Sequence, residues 1–302
     1  MKILVTGSNG LLGQKILAQG IGEPQLELIG CSQGKDRIES FSGYEYYELD
    51  ITDRSAVLDL IKRTRPDVVI NTAAMTNVDA CESDKEGCWK VNVDAVDYLI
   101  EACRPVDAHL IHLSTDFVFN GEDGPYNETD RPDPLSFYGK SKLASEELVI
   151  NSGLRNWAIA RTIIVYGIAD NMSRTNVVLW AKGALEKGET IRVVDDQFRS
   201  PTLAEDLAAG CLLIAQKHSN GIFHLSGKDT MSILELVYKV ADHFGFDKNI
   251  VESIKTDSLG QEAARPPITG FILDKSRNEL GYIPHSFEEG LSILNEQLKA
   301  IS

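Results

Sequence analysis

Tyr138 and Lys142, the ends of Tyr-Gly-Lys-Ser-Lys, stand four residues apart just inside a segment with helical spacing. At that spacing two side chains share one helical face. A phenol whose ordinary pKa is near ~10 carries protons poorly at neutral pH, but an ammonium beside it favours the phenolate and lowers that pKa. The pair reads as an acid/base unit, although the same spacing occurs on ordinary amphipathic helices, so its meaning rests on what surrounds it. Gly7-Ser8-Asn9-Gly10-Leu11-Leu12-Gly13 follows a short apolar run and leads into helical spacing. Gly7 permits a tight turn, Gly10 lets backbone approach a pyrophosphate, Gly13 lets the helix pack on the strand, and the free amides at the helix start bind phosphate. Ser114-Thr115-Asp116 ends another apolar run. A Thr115 hydroxyl at such a strand end can hydrogen-bond a carbonyl oxygen and polarise it for hydride attack.

These groups need a scaffold of alternating strands and helices, and the first half of the chain supplies one. Apolar or alternating runs at 3–6, 26–31, 44–48, 68–71 and 110–113 read as strands, with helices at 14–19, at 54–63 behind an Asp53 cap, and from a Ser83/Glu86 capping box to Cys103. Thr72-Ala73-Ala74 is a run of small residues on which a cofactor could lie against backbone, whereas Asn92 reads from its place on the long helix as chiefly structural. Asp50 closes the third strand at the ligand-binding edge, where adenine contact and a plain turn role compete evenly. The second strand ends in Cys31-Ser32-Gln33-Gly34-Lys35, with no acid before Asp36 and with Arg37 beyond. Such a tip favours a 2′-phosphate, hence NADPH, with NADH also allowed. Residues 120–134 form a long loop that delivers Tyr138. Further on come a strand at 157–161, a helix at 173–185, strands at 190–194 and 222–225, a helix at 203–215, and capping boxes at Ser232/Glu235 and Ser286/Glu289. The pattern predicts an α/β, Rossmann-type doubly wound parallel sheet with a smaller mixed C-terminal substrate-binding lobe. Residues 1–160, with parts of 195–215, form the cofactor domain, and residues 161–302, mainly 166–194 and 222–302, the lobe.

The 302 residues can bury a large core, and a net charge of −15 argues against nucleic acid or an anionic membrane as partner. Five cysteines without metal-like spacing fit reduced thiols in a cytoplasm, and six histidines without such spacing read as structural or surface groups, so no metal is expected. No stretch has the length and apolarity of a membrane span or a secretory signal.

The order and spacing of Gly7-x-x-Gly10-x-x-Gly13, Asn71-Thr72-Ala73-Ala74, Ser114-Thr115-Asp116 and Tyr138-x-x-x-Lys142 resemble the extended short-chain dehydrogenases/reductases. Asn71–Asp79, Ser114–Phe119 and Val194–Thr202 narrow that likeness to the dTDP-4-dehydrorhamnose reductase family, and the similarity runs over nearly the whole chain. It implies reduction of the 4-keto group of a dTDP-linked 6-deoxyhexulose, dTDP-4-dehydrorhamnose to dTDP-L-rhamnose for cell-surface polysaccharide. In that reaction Tyr138 protonates the alkoxide, Lys142 holds the nicotinamide ribose and tunes the tyrosine, and Thr115 binds the ketone oxygen. The expected cofactor-binding set is Gly7, Asn9, Gly10, Leu11, Leu12, Gly13, Ser32, Lys35, Asp50, Ile51, Ala73, Ala74 and Asn92, with Tyr138 and Lys142. The expected sugar-side set is Thr76, Val78, Thr115, Phe117, Ile164 and Arg199. A homodimer is compatible with the resemblance.

The chain departs from that family at Met75, Phe117 and Ile164, where tyrosine, tyrosine and tryptophan are usual, and at Arg199, where glycine is common. Arg199 reads either as an anchor for a diphosphate or as an exposed structural arginine. Arg265 in Arg-Pro-Pro reads likewise as a diphosphate contact or a plain connector. Sugar-nucleotide dehydratases of this fold carry glutamate where Phe117 stands, which argues against dehydration. The carboxylate-free second strand argues against a 4-epimerase that retains NAD. A non-catalytic regulatory subunit like that of methionine adenosyltransferase, which resembles the same family, is the alternative of a different class.

Overall fold

The computed structural model describes residues 1–260 and 262–301. Its first half runs β1 (Lys2–Thr6), α1 (Leu11–Ile21), β2 (Glu27–Ser32), β3 (Glu45–Glu48), α2 (Arg54–Thr64), β4 (Val68–Asn71), α3 (Val78–Ser83), α4 (Lys85–Trp89), α5 (Ala95–Cys103), β5 (His109–Thr115), α6 (Phe137–Ile150) and β6 (Trp157–Thr162). Then come β7 (Val165–Tyr166), α7 (Val177–Glu186), β8 (Ile191–Val194), β9 (Phe198–Arg199), β10 (Thr202–Leu203), α8 (Ala204–Lys217), β11 (Gly221–His224), β12 (Met231–Ser232), α9 (Ile233–Phe244), β13 (Val251–Ile254) and α10 (Phe287–Ile301).

Seven strands make one parallel sheet in the order β11-β6-β5-β4-β1-β2-β3. The order grows outward from β1 in one direction and from β4 in the other. That reversal opens a crevice at the strands' C-terminal ends, the place where doubly wound sheets take ligands. Both β4 and β5 are buried along their whole length because helices cover the two faces. One face packs Val5 and Ile111 against Ile16, Leu17, Leu207 and Cys211; the other packs Leu4, Val69 and Leu110 against Val57, Leu60, Val96 and Leu99. A third cluster, with Val178, Leu185, Leu236, Val240 and Leu291, joins α7, α9 and α10. Beneath the sheet's end, Arg161 of β6 and Glu146 of α6 form a fully buried two-pronged pair, with N–H···O distances of 2.9 and 2.6 Å.

Several local expectations change. Residues 221–224, assigned from the sequence to the lobe, form an edge strand of the large sheet, where Ile222 pairs with Ile159 and satisfies its backbone groups on β6. Ser83 and Glu86 do not cap a long helix. Asn77 caps α3 by accepting from the Ala80 amide at 3.1 Å, Asp84 caps α4 by accepting from Gly87 at 2.9 Å, and the Ser83 hydroxyl turns back onto the Ala80 carbonyl. The chain then passes through a π turn, Lys90–Asp94, into α5. The helix expected from residue 173 starts at Val177, because Asn176 offers its side chain to the Leu179 amide. Asp53 caps α2, and both later capping boxes form reciprocally. Among the described residues no helix is long and apolar enough to cross a membrane, and no cluster of three or more His, Cys, Asp or Glu is placed to hold a metal.

Candidate active site

The glycine turn leaves β1 with Gly7 at φ 67°, in the left-handed region that glycine adopts without strain. A Cβ on Gly7 would lie 2.8 Å from the Ala73 amide, and one on Gly13 2.5 Å from the Gly7 carbonyl. The turn, the start of α1 and the Ala73-Ala74 segment after β4 therefore meet backbone to backbone. At Gly10 no side chain caps α1, so the amides of Leu11, Leu12 and Gly13 stay available to an anion. This cradle fits a dinucleotide pyrophosphate. Asn9 works on the protein itself: its amide donates to the Lys35 carbonyl at 2.9 Å, and its oxygen accepts from the Arg37 amide at 3.0 Å. These bonds fasten the loop after β2, leaving Lys35 and Arg37 exposed, Ser32 half-buried and the Asp36 carboxylate drawn to the Tyr44 hydroxyl at 2.6 Å. Asp50 accepts from the Thr52 amide and from Gln33, a turn role, while Ile51 beside it is buried.

Two backbone contacts hold α6 at the crevice. Ser136 caps the helix by accepting from Gly139, and Gly139 itself lies so close to β5's exit that a Cβ there would stand 2.2 Å from the Phe117 carbonyl oxygen. Tyr138 is thereby brought beside Thr115, whose hydroxyl donates to Asp116 at 3.0 Å. Burial pushes the Tyr138 phenol well above its ordinary pKa, and the neighbouring Thr115 hydroxyl only partly offsets this. Here the structure departs from the sequence reading. Lys142 does share the Tyr138 face, but its ammonium donates to the Leu113 carbonyl at 2.7 Å and lies 3.1 Å from His112 Nε2, so it does not pull the phenol down. A buried charge takes the nearest acceptor, and β5 supplies it in the Leu113 carbonyl. Burial brings Lys142 to about 8, against a smaller upward pull from Glu146.

The sugar-side candidates divide. Phe117 meets the Tyr138 ring edge-on with centroids 5.7 Å apart, and Met75, Val78 and Phe137 complete an apolar wall around the phenol. Thr76 is exposed on the rim. Ile164 follows β6 at φ 26°, an uncommon conformation for a β-branched residue, and is fixed by the bond from the Thr202 amide to its carbonyl. Arg199 is neither a free anchor nor exposed. It is 1% accessible, its guanidinium donates to the carbonyls of Phe198, Pro266 and Pro267, and its Nε lies 3.7 Å from Asp116. Arg265 grips Asp79 with contacts of 2.7 and 3.2 Å, holding that carboxyl below its usual range. Asn92 faces the Met75 backbone rather than outward, accepting from its amide at 2.8 Å and donating to its carbonyl at 3.1 Å. Sequence reading missed His112, whose tie to Lys142 needs the placement of β5 beside α6, and Gly139, whose close approach leaves no mark in composition.

Similarity to known proteins extends over nearly the whole chain. The family model described as RmlD substrate binding domain matches residues 1–299. A relative from Haloferax volcanii, named probable low-salt glycan biosynthesis reductase Agl14, is 32% identical over 296 residues, 97% of each chain. Methionine adenosyltransferase 2 subunit beta from Bos taurus is 29% identical over 270 residues, 88% of this chain and 78% of that one. Among solved structures, the dTDP-4-dehydrorhamnose reductase of Bacillus anthracis in complex with NADP superposes with a TM-score of 0.82 at 28% identity, covering 98% of this chain and 99% of that one.

Proposed function

Because the chain belongs to the RmlD substrate binding domain family, we propose that it reduces the 4-keto group of a dTDP-linked 6-deoxyhexulose with NADPH, taking dTDP-4-dehydrorhamnose to dTDP-L-rhamnose. The observation that carries this reading is the meeting of a protonated phenol, Tyr138, with the Thr115 hydroxyl beside a phosphate cradle. The Gly7–Gly13 turn and the first amides of α1 would hold the cofactor's diphosphate, Lys35 and Arg37 its 2′-phosphate, and Lys142 its nicotinamide ribose. When bound, NADPH supplies hydride to the carbonyl carbon. Thr115 orients the carbonyl oxygen, and Tyr138 passes its proton to that oxygen as negative charge develops. A phenol pushed upward by burial stays protonated across the neutral range, as a donor in the reducing direction must. The apolar wall of Met75, Val78 and Phe117 favours a sugar whose neighbouring carbon bears a methyl group, since a hydroxyl there would lose its hydrogen bonds to water.

The likeness to methionine adenosyltransferase 2 subunit beta supports a second reading, a cofactor-binding subunit without turnover. One experiment separates the two. Purified protein mixed with NADPH and dTDP-4-dehydrorhamnose should consume NADPH, and Tyr138→Phe should lower the rate by roughly 100- to 10,000-fold while still binding NADPH. Wild type no faster than Tyr138→Phe would rule out the reductase and leave the binding subunit.

A further inference from the structure

Lys142 is not the last member of the buried polar set. Behind it, four residues from three strands and α6 form a continuous chain: Thr6 donates to Asn71 Oδ1 at 2.6 Å, Asn71 Nδ2 lies 3.1 Å from His112 Nδ1, and His112 Nε2 lies 3.0 Å from Ser145 Oγ and 3.1 Å from Lys142 Nζ. None of them is more than 2% exposed. The directions in this chain are constrained from both ends. The Thr6 hydroxyl occupies the Asn71 oxygen, so the Asn71 amide turns its N–H toward Nδ1, which must accept. The Ser145 hydroxyl donates to the Lys142 carbonyl at 2.7 Å, so its oxygen faces Nε2 as an acceptor. Both ends call for the same tautomer, with the imidazole proton on Nε2.

We propose that His112 is a positioning residue for the reduction inferred above: locked by Asn71 with its proton on Nε2, it shares that proton between the Ser145 oxygen and the Lys142 amine, 3.0 and 3.1 Å away, fixing Nζ against the Leu113 carbonyl and easing its loss of a proton inside the site. A proton-bearing ring nitrogen 3.1 Å from Nζ cannot accept from an ammonium, but it can donate to a neutral amine. The other charged and titratable groups facing Lys142 are Glu146 on its own helix, itself neutralised by Arg161 of β6, and Cys88 of α4; both raise its pKa. Burial acts the other way on Lys142 and also keeps His112 neutral, with its pKa well below the ordinary value. Lys142 can therefore change charge within the pH range where Tyr138 must stay protonated.

The test uses intact protein carrying lysine labelled with ¹³C at Cε, with Lys142→Met to identify the resonance. Wild-type Lys142 should titrate near 8. In His112→Gln the side-chain amide can rotate its carbonyl toward the ammonium, so the midpoint should rise by roughly one pH unit, and the alkaline limb of kcat should rise with it. If His112→Gln does not reach the wild-type circular dichroism and melting transition, Asn71→Ala serves instead, because it releases the lock on Nδ1 and should shift the midpoint in the same direction. An unchanged or lower midpoint in a folded variant overturns the proposal. Because the titration needs no turnover, a raised midpoint in a protein that consumes no NADPH would sustain the role of His112 while rejecting the reductase reading.

Discussion

Gly139→Ala probes the placement of Tyr138 without touching any reacting group. Alanine is the better helix former by about 1 kcal/mol, and at an open helical position that gain would be realised. At Gly139 the added Cβ would stand 2.2 Å from the Phe117 carbonyl oxygen, where ordinary contact begins at 3.4 Å. Either α6 or the exit of β5 must yield by about 1 Å to relieve an overlap of this depth. Overpacking of this kind costs roughly 1–3 kcal/mol, so the net stability loss is at most about 2 kcal/mol and the protein should stay folded. The same movement opens the contact between Tyr138 and Thr115, and a misplacement of about 1 Å at a reacting centre lowers rates by about 100-fold. Steady-state NADPH consumption should therefore fall by about two orders of magnitude, with the NADPH dissociation constant nearly unchanged because the phosphate cradle is on other elements. Gly183→Ala in α7 is the matched control, since its Cβ would meet no atom within 4 Å. Turnover of Gly139→Ala within about threefold of wild type would refute the claim that this close approach sets the tyrosine's position.

Two further outcomes are expected. Replacing Lys35 and Arg37 together by alanine should raise the KM for NADPH by about tenfold or more and leave that for NADH nearly unchanged, as expected when charge-assisted bonds to one phosphate are lost; equal effects on the two cofactors would show that the loop after β2 does not read the 2′-phosphate. His109, buried at the start of β5, has its pKa lowered to about 4 by burial and by the facing His218. The unfolded chain takes up this proton first, so stability is full above pH ~6.5 and declines as pH falls from there toward 4, by up to about 3 kcal/mol from this group. Urea melts of His109→Leu between those limits should depend less on pH than wild type, and an unchanged dependence would remove His109 from the acid response.

What could be read from the sequence was local. The glycine turn and the caps at Asp53 and Ser232 are each complete within a few residues, so spacing alone carries their meaning. Where the outcome depended on a partner far along the chain, spacing misled or was silent. Arg199 gives its donors to carbonyls 67 and 68 residues away, and Lys142 turns to a histidine 30 residues earlier. The Ser83/Glu86 pattern was a sound local signal that lost to Asn77 and Asp84, because the chain bends twice there to bring Cys81 and Cys88 against Tyr138. The seventh strand of the sheet was seen as a strand but given to the wrong layer, since four apolar and polar residues do not say which edge they will pair with.

The buried Arg161–Glu146 pair bears on how such a protein can change over time. It clamps the helix carrying Tyr138 and Lys142 to the sheet from below, at a depth where losing one partner costs about 3–5 kcal/mol. Met75, Phe117 and Ile164 sit instead on short turns and helix ends at the mouth. Drift at the mouth is cheap and drift at the clamp is not, so under the reductase reading proposed above a lineage could trade one sugar for another by altering the rim while the helix that carries Tyr138 and Lys142 stays in place.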